Sequence, residues 1–506
     1  MKKETNSNVD LNTIVPTQSN VGEVFASKTI QDDAVFGEIQ EGDTNYRNVS
    51  LTHLTFSSDC ANCNQVGWVG TTALLIKTQI GLGVLSMPKV FDTLGIIPGI
   101  ILLVVIAGMT TWSNWMVGVF KINHPSVYGI DDVGQMLFGR VGFELFGAAY
   151  TLYWIFSGGS ALLSISISFN ALSDHATCTA VFVAVAAIIA IMFSSIQTLG
   201  RMSWLAWIGA ACIIISVFIV TIAVGIQGHP PRIDGVIPES DYKLFGSPSF
   251  TEAMTAISTI CLTYAGTPAC FNIISEMRDP RYYNRALAIC QTLVTVIYIV
   301  VGTVVYYYCG SHVASPALGS AGPVIKKVSY GFALPGLCVS AILLLHVSIH
   351  QMTLAGVTTL FKILTASKLP AKHVFIRILR GSKHLTGQTM IHWVTWLGST
   401  FTIVAIAYIV ASSVPVFSDL VSLVGALLAT PLCFQPMGCM WLYDNWAAGK
   451  QEKSLRWILM VAWCVLIILT GFFFTIGGTY SSVKSISDSY SQSGGSSAWS
   501  CANNDL

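Results

Sequence analysis

Long apolar runs alternate with short polar loops through most of the chain, and both ends are polar. A helix that crosses a bilayer needs about 20 mostly apolar residues. Eleven stretches qualify, roughly 67–90, 94–120, 142–172, 180–196, 202–226, 250–275, 286–309, 331–364, 391–414, 420–442 and 455–475. The third and eighth are long enough to tilt. The pattern therefore predicts an all-α membrane protein, with a transmembrane domain over 66–478. Residues 1–65 are rich in Asn, Thr, Asp and Ser and hold no apolar run long enough for a signal peptide, so they read as a disordered cytosolic tail. Residues 479–506 read as a second, Ser/Gly-rich tail.

Two of the apolar runs are interrupted. In the first span the order is Lys77, Thr78, Gln79, Ile80, Gly81, Leu82, Gly83, with Pro88 following; in the sixth it is Thr263, Tyr264, Ala265, Gly266, Thr267, Pro268. One interruption alone could be a packing glycine or a proline kink, since both residues are common in membrane helices. Two of them, five spans apart and so opposite in direction, are the pattern of a transporter site at the middle of the membrane. A break frees backbone N–H and C=O groups, and these survive only beside protein or a watery cavity. Freed N–H groups at a half-helix N-terminus attract an anion, because the helix dipole is positive there. Freed carbonyls hold an ammonium group or a cation. A zwitterionic amino acid uses both. The candidate substrate-binding residues are therefore Thr78, Gly81, Leu82, Gly83, Ala265, Gly266 and Thr267, with Tyr153 and Tyr264 beside them.

Composition narrows the field of functions. The chain is 53% hydrophobic and 10% charged, against roughly 25% charged in a soluble domain. A net charge of +1 argues against a nucleic-acid partner. The lipid bilayer and a small-molecule amino acid are the expected partners; a ubiquitin ligase acting on the N-terminal tail is a further candidate. Most cysteines, such as Cys212, Cys261, Cys290 and Cys464, fall in apolar runs and read as small buried hydrophobes. Cys60 and Cys63 have metal spacing but no second pair, so no metal and no cofactor are expected. There is no H-E-x-x-H, G-x-S-x-G or Walker-type motif, so the chain does not read as an enzyme or an ATP-driven pump. Nor is there a filter repeat of the kind a channel needs.

With the N-terminus in the cytosol, the inner loops hold fifteen Lys and Arg and the outer segments six. That bias supports the orientation and the odd number of spans. It would put the C-terminal tail outside. Cys178, Cys309 and Cys501 would then share an oxidising face, where two of the three could pair; the sequence does not choose the pair.

The run Ile80 to Pro88 resembles the G-x-G-[IV]-L-x-x-P motif of the amino acid/auxin permease family. The stretch Pro268 to Pro280 resembles that family's proline followed by E-[ML]-x-x-P, with Glu276, Met277 and Pro280 in place. The resemblance spans about residues 66–475 and is strongest to the filamentous-fungal neutral and aromatic amino acid permeases of the methyltryptophan-resistance type. It implies the five-plus-five inverted repeat of the leucine-transporter fold, with helices 1 and 6 broken, and proton-coupled uptake through alternating access.

Lys77 is the residue that bears most on coupling. It lies about ten residues into the first span, roughly 15 Å along the axis, too deep to snorkel easily. A charge at such depth costs on the order of 2.5–3.5 kcal/mol. Desolvation disfavours the charged form of an amine, so Lys77 could gain and lose a proton during a cycle. In sodium-coupled relatives the matching position resembles a cation-holding asparagine, and in proton-coupled animal relatives a lysine. The resemblance thus implies that the Lys77 ammonium stands where a sodium ion would bind. A structural lysine bonded to freed carbonyls is the competing reading. His346 and His350, four residues apart on one helix face, are rival proton carriers. The proton is the expected coupling ion, and none of these positions is expected to hold a metal. Glu276, Arg278, Asp279 and Arg281 read as a charge cluster at the cytosolic end of the sixth span.

Tyr150, Tyr153, Trp154 and Ser157 lie near the middle of the third span, which in the implied fold faces the breaks. They suit an apolar or aromatic side chain, although aromatics at such spacing also simply pack between helices. No acidic residue lies at the centre of the first, third or sixth span, which favours neutral over cationic amino acids. The expected function is import of neutral, aliphatic or aromatic, amino acids at the plasma membrane. A vacuolar exporter and a non-transporting amino acid sensor remain the alternatives.

Overall fold

The computed structural model describes residues 30–33, 37–40 and 67–501, except 128, 195–202, 231–237, 276, 356–389, 415, 452, 493–498 and 500. The Cys60/Cys63 pair and Glu276 lie outside the described residues. Of Leu82, His346 and His350 only the backbone is described. Within the first tail, β1 (Ile30–Asp33) and β2 (Gly37–Gln40) pair antiparallel with Ile30 opposite Gln40. A lone two-stranded hairpin is marginally stable in water, so it does not make the tail a domain.

The membrane domain is all-α. The first span is α1 (Trp68–Gln79) followed by α2 (Leu82–Leu94), and the second is α3 (Ile96–Asn123). Then come α4 (Ile130–Ser173), α5 (Thr179–Ser194) and α6 (Ser203–Gln227). The sixth span is α7 (Phe250–Thr263) followed by α8 (Thr267–Ser275). After it run α9 (Tyr283–Cys309), α10 (Pro323–Ala355) and α11 (Met390–Ser413). The tenth span is α12 (Phe417–Val424), a π turn at Gly425–Ala429, α13 (Thr430–Cys433) and α14 (Gln435–Gln451). The last is α15 (Leu455–Gln492). Among the described residues, eight helical stretches are long and apolar enough to cross a bilayer, the bent α1–α2 pair adds a ninth, and two shorter apolar helices lie at Thr179–Ser194 and Thr400–Ser413. Each coincides with one of the apolar runs of the sequence.

Two helices depart from the sequence boundaries. α4 begins twelve residues early because a helical segment from Ile130 joins the third span through a kink at Gly139, whose φ of 67° only glycine adopts readily. α15 continues through Gln492, well past the end of the last apolar run at about residue 475. Its polar extension is held because the Ser485 and Ser489 hydroxyls, one turn apart, both donate to the buried Asp419 carboxylate of α12, at 2.9 and 2.8 Å. Composition alone reads such a serine-rich stretch as a tail.

Burial separates the spans into inner and outer sets. The most apolar windows of α4 and of the α7–α8 pair are each 83% buried, whereas that of α15 is 22% buried. The third and sixth spans are therefore central, and the last is peripheral. Large apolar side chains such as Ile101, Val105, Ile188, Ile222, Leu466 and Phe472 point outward, as a lipid-facing surface requires. Leu75, Ile80, Phe91, Tyr264, Phe271, Tyr283 and Tyr298 are fully buried and lie on the first, sixth and seventh spans.

The turn between the first two spans is stitched to the loop before α7. Ile96 and Ile97 donate backbone N–H groups to the Lys243 and Leu244 carbonyls, and Gly246 N–H donates to Leu94 O. The Cys178 and Cys501 sulfurs form a disulfide, and Cys309 is a free, buried thiol. The tail around Cys501 is held by two further contacts: Trp499 N–H donates to the Ser412 carbonyl, and the Trp499 ring meets Tyr408 edge to face.

Candidate functional site

The first break follows Gln79. Ile80 leaves the helix with φ −75° and ψ 100°, its N–H still bonded to Ile76 O, and Gly81 carries the chain to α2. The two halves meet at a bend of 50°. The second break is a tight turn at Tyr264, Ala265 and Gly266. Ala265 N–H donates to Leu262 O and Gly266 N–H to Tyr264 O. α8 then opens with Thr267 and Pro268, where the missing proline N–H leaves no helical bond unmade.

The two breaks lie against each other. A Cβ added to Gly83 would fall 2.6 Å from the Thr263 methyl and 2.9 Å from its Cα; one added to Gly266 would fall 2.7 Å from Thr78 Oγ1 and 3.3 Å from Gln79 Cγ. Both glycines are there for close approach, since any side chain would push the breaks apart. The pairing is reciprocal: the second half of span 1 packs on the first half of span 6, and the first half of span 1 on the second half of span 6. That is the geometry an inverted pair of broken helices produces.

Side chains from three other spans hold this junction. Tyr153 OH of α4 donates to Ala265 O at 2.7 Å. Tyr298 OH of α9 lies 2.9 Å from Gln79 O and 3.3 Å from Thr263 O. The Lys77 Nζ donates to Ser340 Oγ of α10 at 2.7 Å, and that hydroxyl donates in turn to Gly336 O. Thr78 Oγ1 donates to Leu75 O within its own helix. Tyr150, Tyr153 and Trp154 are buried and meet edge to face, with ring centroids 5.8 Å apart for Tyr150 and Trp154 and 5.1 Å for Tyr153 and Trp154.

The structure thus brings together Lys77, Thr78, Gly81, Gly83, Tyr153, Ala265, Gly266 and Thr267. Tyr264 contributes its backbone to the break, but its side chain turns away: the hydroxyl donates to Thr295 Oγ1 of α9 at 2.9 Å, and the ring packs on Tyr298. Just after the C-terminal end of the sixth span, Asp279 caps the turn that starts at Pro280 by accepting from Arg281 N–H, and Arg285 lies over the Tyr282 ring at 5.1 Å. Among the described residues no group of three or more His, Cys, Asp or Glu is placed to hold a metal.

Three further residues belong to the junction, and only one of them carries a signal in the sequence. Tyr298 is one tyrosine among several on α9. Ser340 is one hydroxyl on an apolar helix. Gln79 is 3% exposed, and neither Oε1 nor Nε2 of its side chain has a hydrogen-bond partner. A buried amide with both ends unpaired is costly in isolation, so it marks a place where a ligand or water would bond. Its sequence signal was available, since it is the most polar uncharged residue inside the first break. Thr267, at the start of α8, is also fully buried, and its hydroxyl bonds to no nitrogen or oxygen.

Residues 64–483 match the family described as transmembrane amino acid transporter protein. A transmembrane transporter of Gibberella moniliformis is 31% identical over 446 residues, covering 87% of this chain and 88% of the relative. The N amino acid transport system protein of Neurospora crassa is 30% identical over 446 residues, covering 87% and 89%. Among solved structures, a Na+-coupled sialic acid symporter in a substrate-bound outward-open state is 12% identical, covering 84% of this chain and 90% of that one, with a TM-score of 0.49. With the match running from before the first break to the last span, the chain belongs to the transmembrane amino acid transporter family.

Proposed function

We propose that this transporter imports neutral amino acids, aliphatic or aromatic, with a proton as coupling ion, and that it works at the plasma membrane. The observation that carries the reading is the junction of the two breaks, where freed N–H and C=O groups of both spans meet two residues from the charged Lys77. Thr78, Gly81, Leu82, Gly83, Ala265, Gly266 and Thr267 would bind the carboxylate and amine, with Tyr153 holding the second break in shape. No acidic side chain lies at the breaks among the described residues, so nothing there balances a cationic substrate. The buried aromatic trio of α4 favours an apolar side chain.

The proton assignment rests on Lys77. An ammonium that bridges spans 1 and 8 can stand in the place of a bound cation, and losing its proton would remove that charge and weaken the bridge. His346 and His350 remain rival carriers on the same eighth span. The Neurospora relative's printed name, an amino acid transport system, agrees with the substrate class. The Cys178–Cys501 disulfide belongs to an oxidising compartment; with both cysteines outside and eleven spans, the N-terminus lies in the cytosol.

The test is uptake of radiolabelled neutral amino acids into transporter-deficient yeast expressing the chain, at pH 5 and pH 7.5, with and without a protonophore. Strong uptake in acid, abolished by the protonophore, is the expected result. Uptake indifferent to both would end the proton reading. Surface expression without uptake of any amino acid would end the transport reading and leave a sensor.

A further inference from the structure

Each break in a membrane helix strands backbone carbonyls, and an unpaired carbonyl in a low-dielectric interior is costly. Two such carbonyls, Gln79 O of span 1 and Thr263 O of span 6, converge on one side chain, the Tyr298 hydroxyl, at 2.9 and 3.3 Å. Tyr298 is fully buried. Its ring lies edge to face on Tyr264 with centroids 5.3 Å apart, and Tyr264 is tied to the same helix through Thr295. That helix, α9, runs unbroken from Tyr283 to Cys309. Both breaks are thus referenced to one continuous helix through one oxygen.

A tyrosine hydroxyl has a single proton. It serves the nearer carbonyl, Gln79, and leans towards the farther one. If either half-helix moves away, the proton can follow the carbonyl that stays. The contact is therefore strong enough to join two breaks and adaptable enough to release one of them, which a carbonyl-to-carbonyl contact or a fixed helix bond cannot do.

We propose that Tyr298 is a positioning residue for transport. Its one hydroxyl proton joins the two broken spans, holding Gln79 and Thr263 in the substrate-accepting arrangement and passing between their carbonyls as a half-helix moves. The inference rests on the reading that the breaks form the substrate site.

The test compares full-length protein carrying Tyr298→Phe with Tyr306→Phe. The Tyr306 hydroxyl accepts from Lys243 N–H at the outer end of α9, away from the breaks. Each variant loses one oxygen from one helix. In uptake assays normalised to surface protein, Tyr298→Phe is expected to raise the KM for a transported neutral amino acid at least tenfold, with the maximal rate changed less than threefold; Tyr306→Phe stays within twofold on both. A merely structural tyrosine would lower the amount of protein and the maximal rate together and leave the KM alone. In purified protein, hydrogen exchange of the amides in 78–83 and 263–267 is expected to speed up at least tenfold in Tyr298→Phe, in both segments and not elsewhere. An unchanged KM, or faster exchange in only one break or in neither, overturns the proposal. If the wild-type chain carries no amino acid, the substrate-site reading fails by itself and the exchange measurement still decides whether Tyr298 joins the breaks.

Discussion

Lys77 and Ser340 are 263 residues apart in sequence and 2.7 Å apart across the membrane domain, joined from the first span to the eighth by a hydrogen bond whose acceptor passes its own proton to Gly336 O. The Ser340 hydroxyl, already committed as a donor, accepts here, and an ammonium makes the stronger, charge-assisted donor to it, although a neutral amine still has N–H groups to give. Deprotonating Lys77 would remove the charge that strengthens this contact, and one of its three N–H donors, and so loosen the tie between spans 1 and 8. Replacing Lys77 with Asn is therefore expected to flatten the ratio of uptake at pH 5 to that at pH 7.5 to within about twofold, while substrate binding persists. Ser340→Ala, which keeps the amine but removes its acceptor, is expected to keep acid stimulation and weaken uptake several-fold. Full pH dependence in Lys77→Asn would transfer the role to His346 or His350.

The glycines of the two breaks make a steric prediction that does not depend on the coupling ion. A Cβ at Gly83 would meet Thr263 Cα at 2.9 Å, and backbone cannot rotate out of the way. Overpacking of this kind costs typically 1–3 kcal/mol. Gly83→Ala and Gly266→Ala are expected to lower uptake tenfold or more while the protein still reaches the surface. Gly108→Ala on α3, where nothing lies within 4 Å of an added Cβ, is expected to leave uptake within twofold. Equal losses at all three positions would mean that the loss of glycine's backbone freedom, not the close approach of the breaks, sets the result.

Gln79 offers a prediction about the substrate. Its buried side-chain amide has both ends unpaired at the first break. A ligand that bonds it would remove a penalty of about 1–3 kcal/mol. Gln79→Leu should then weaken substrate binding by roughly tenfold, read as KM, yet leave the extracted protein as thermally stable as the wild type or more so. Lower stability with unchanged KM would show that the amide serves the fold instead.

How much of this was legible in the sequence follows from which interactions are local. The breaks were legible, because Gly81, Gly83, Gly266 and Pro268 interrupt apolar runs within a few residues of one another. Lys77 was legible from its depth, since a charge ten residues into a span needs a reason wherever its partner lies. Ser340 and Tyr298 were not, because one serine or tyrosine on an apolar helix looks the same whether or not a distant carbonyl or amine meets it. Tyr264 shows the converse: its position beside the break suggested a pocket wall, but its direction was set by Thr295, on another span. The serine-rich end of α15 was read as tail because composition carries no trace of Asp419, 66 residues before Ser485. Three candidate cysteines left several pairings, and the Cys178–Cys501 pair goes with the packing of Trp499 on Tyr408 and Ser412, contacts between distant segments that local sequence does not show.

That strap has a direct test. In intact cells a membrane-impermeant thiol reagent should fail to label Cys178 and Cys501 until a reductant is added, and then label both. Cys501→Ser should lower the melting temperature of the extracted protein, since a cross-link that closes a long loop contributes typically 2–4 kcal/mol. Trp499→Ala should lower it less, because the disulfide alone still restrains the tail. Labelling of Cys501 without a reductant would contradict both the pairing and the anchored end.

The loop before α7 gives the last prediction, and it separates stability from coupling. Asp241 lies outside the spans and accepts from the Ser311 N–H at 2.7 Å and the Ser311 hydroxyl at 2.8 Å. Those two bonds favour the carboxylate and hold its pKa below the ordinary value of 3.8. A carboxyl whose folded pKa is depressed stabilises the fold above its unfolded value, and the contribution fades as pH falls through the folded one. At pH 5 and above, Asp241 is therefore ionised throughout and cannot cause acid stimulation. Asp241→Asn is expected to leave the pH profile of uptake unchanged between pH 5 and pH 7.5. It should lower the thermal stability of the extracted protein at neutral pH, and the difference from wild type should shrink only below about pH 4. A shifted uptake profile in this variant would place the proton-sensing group at this loop and count against Lys77.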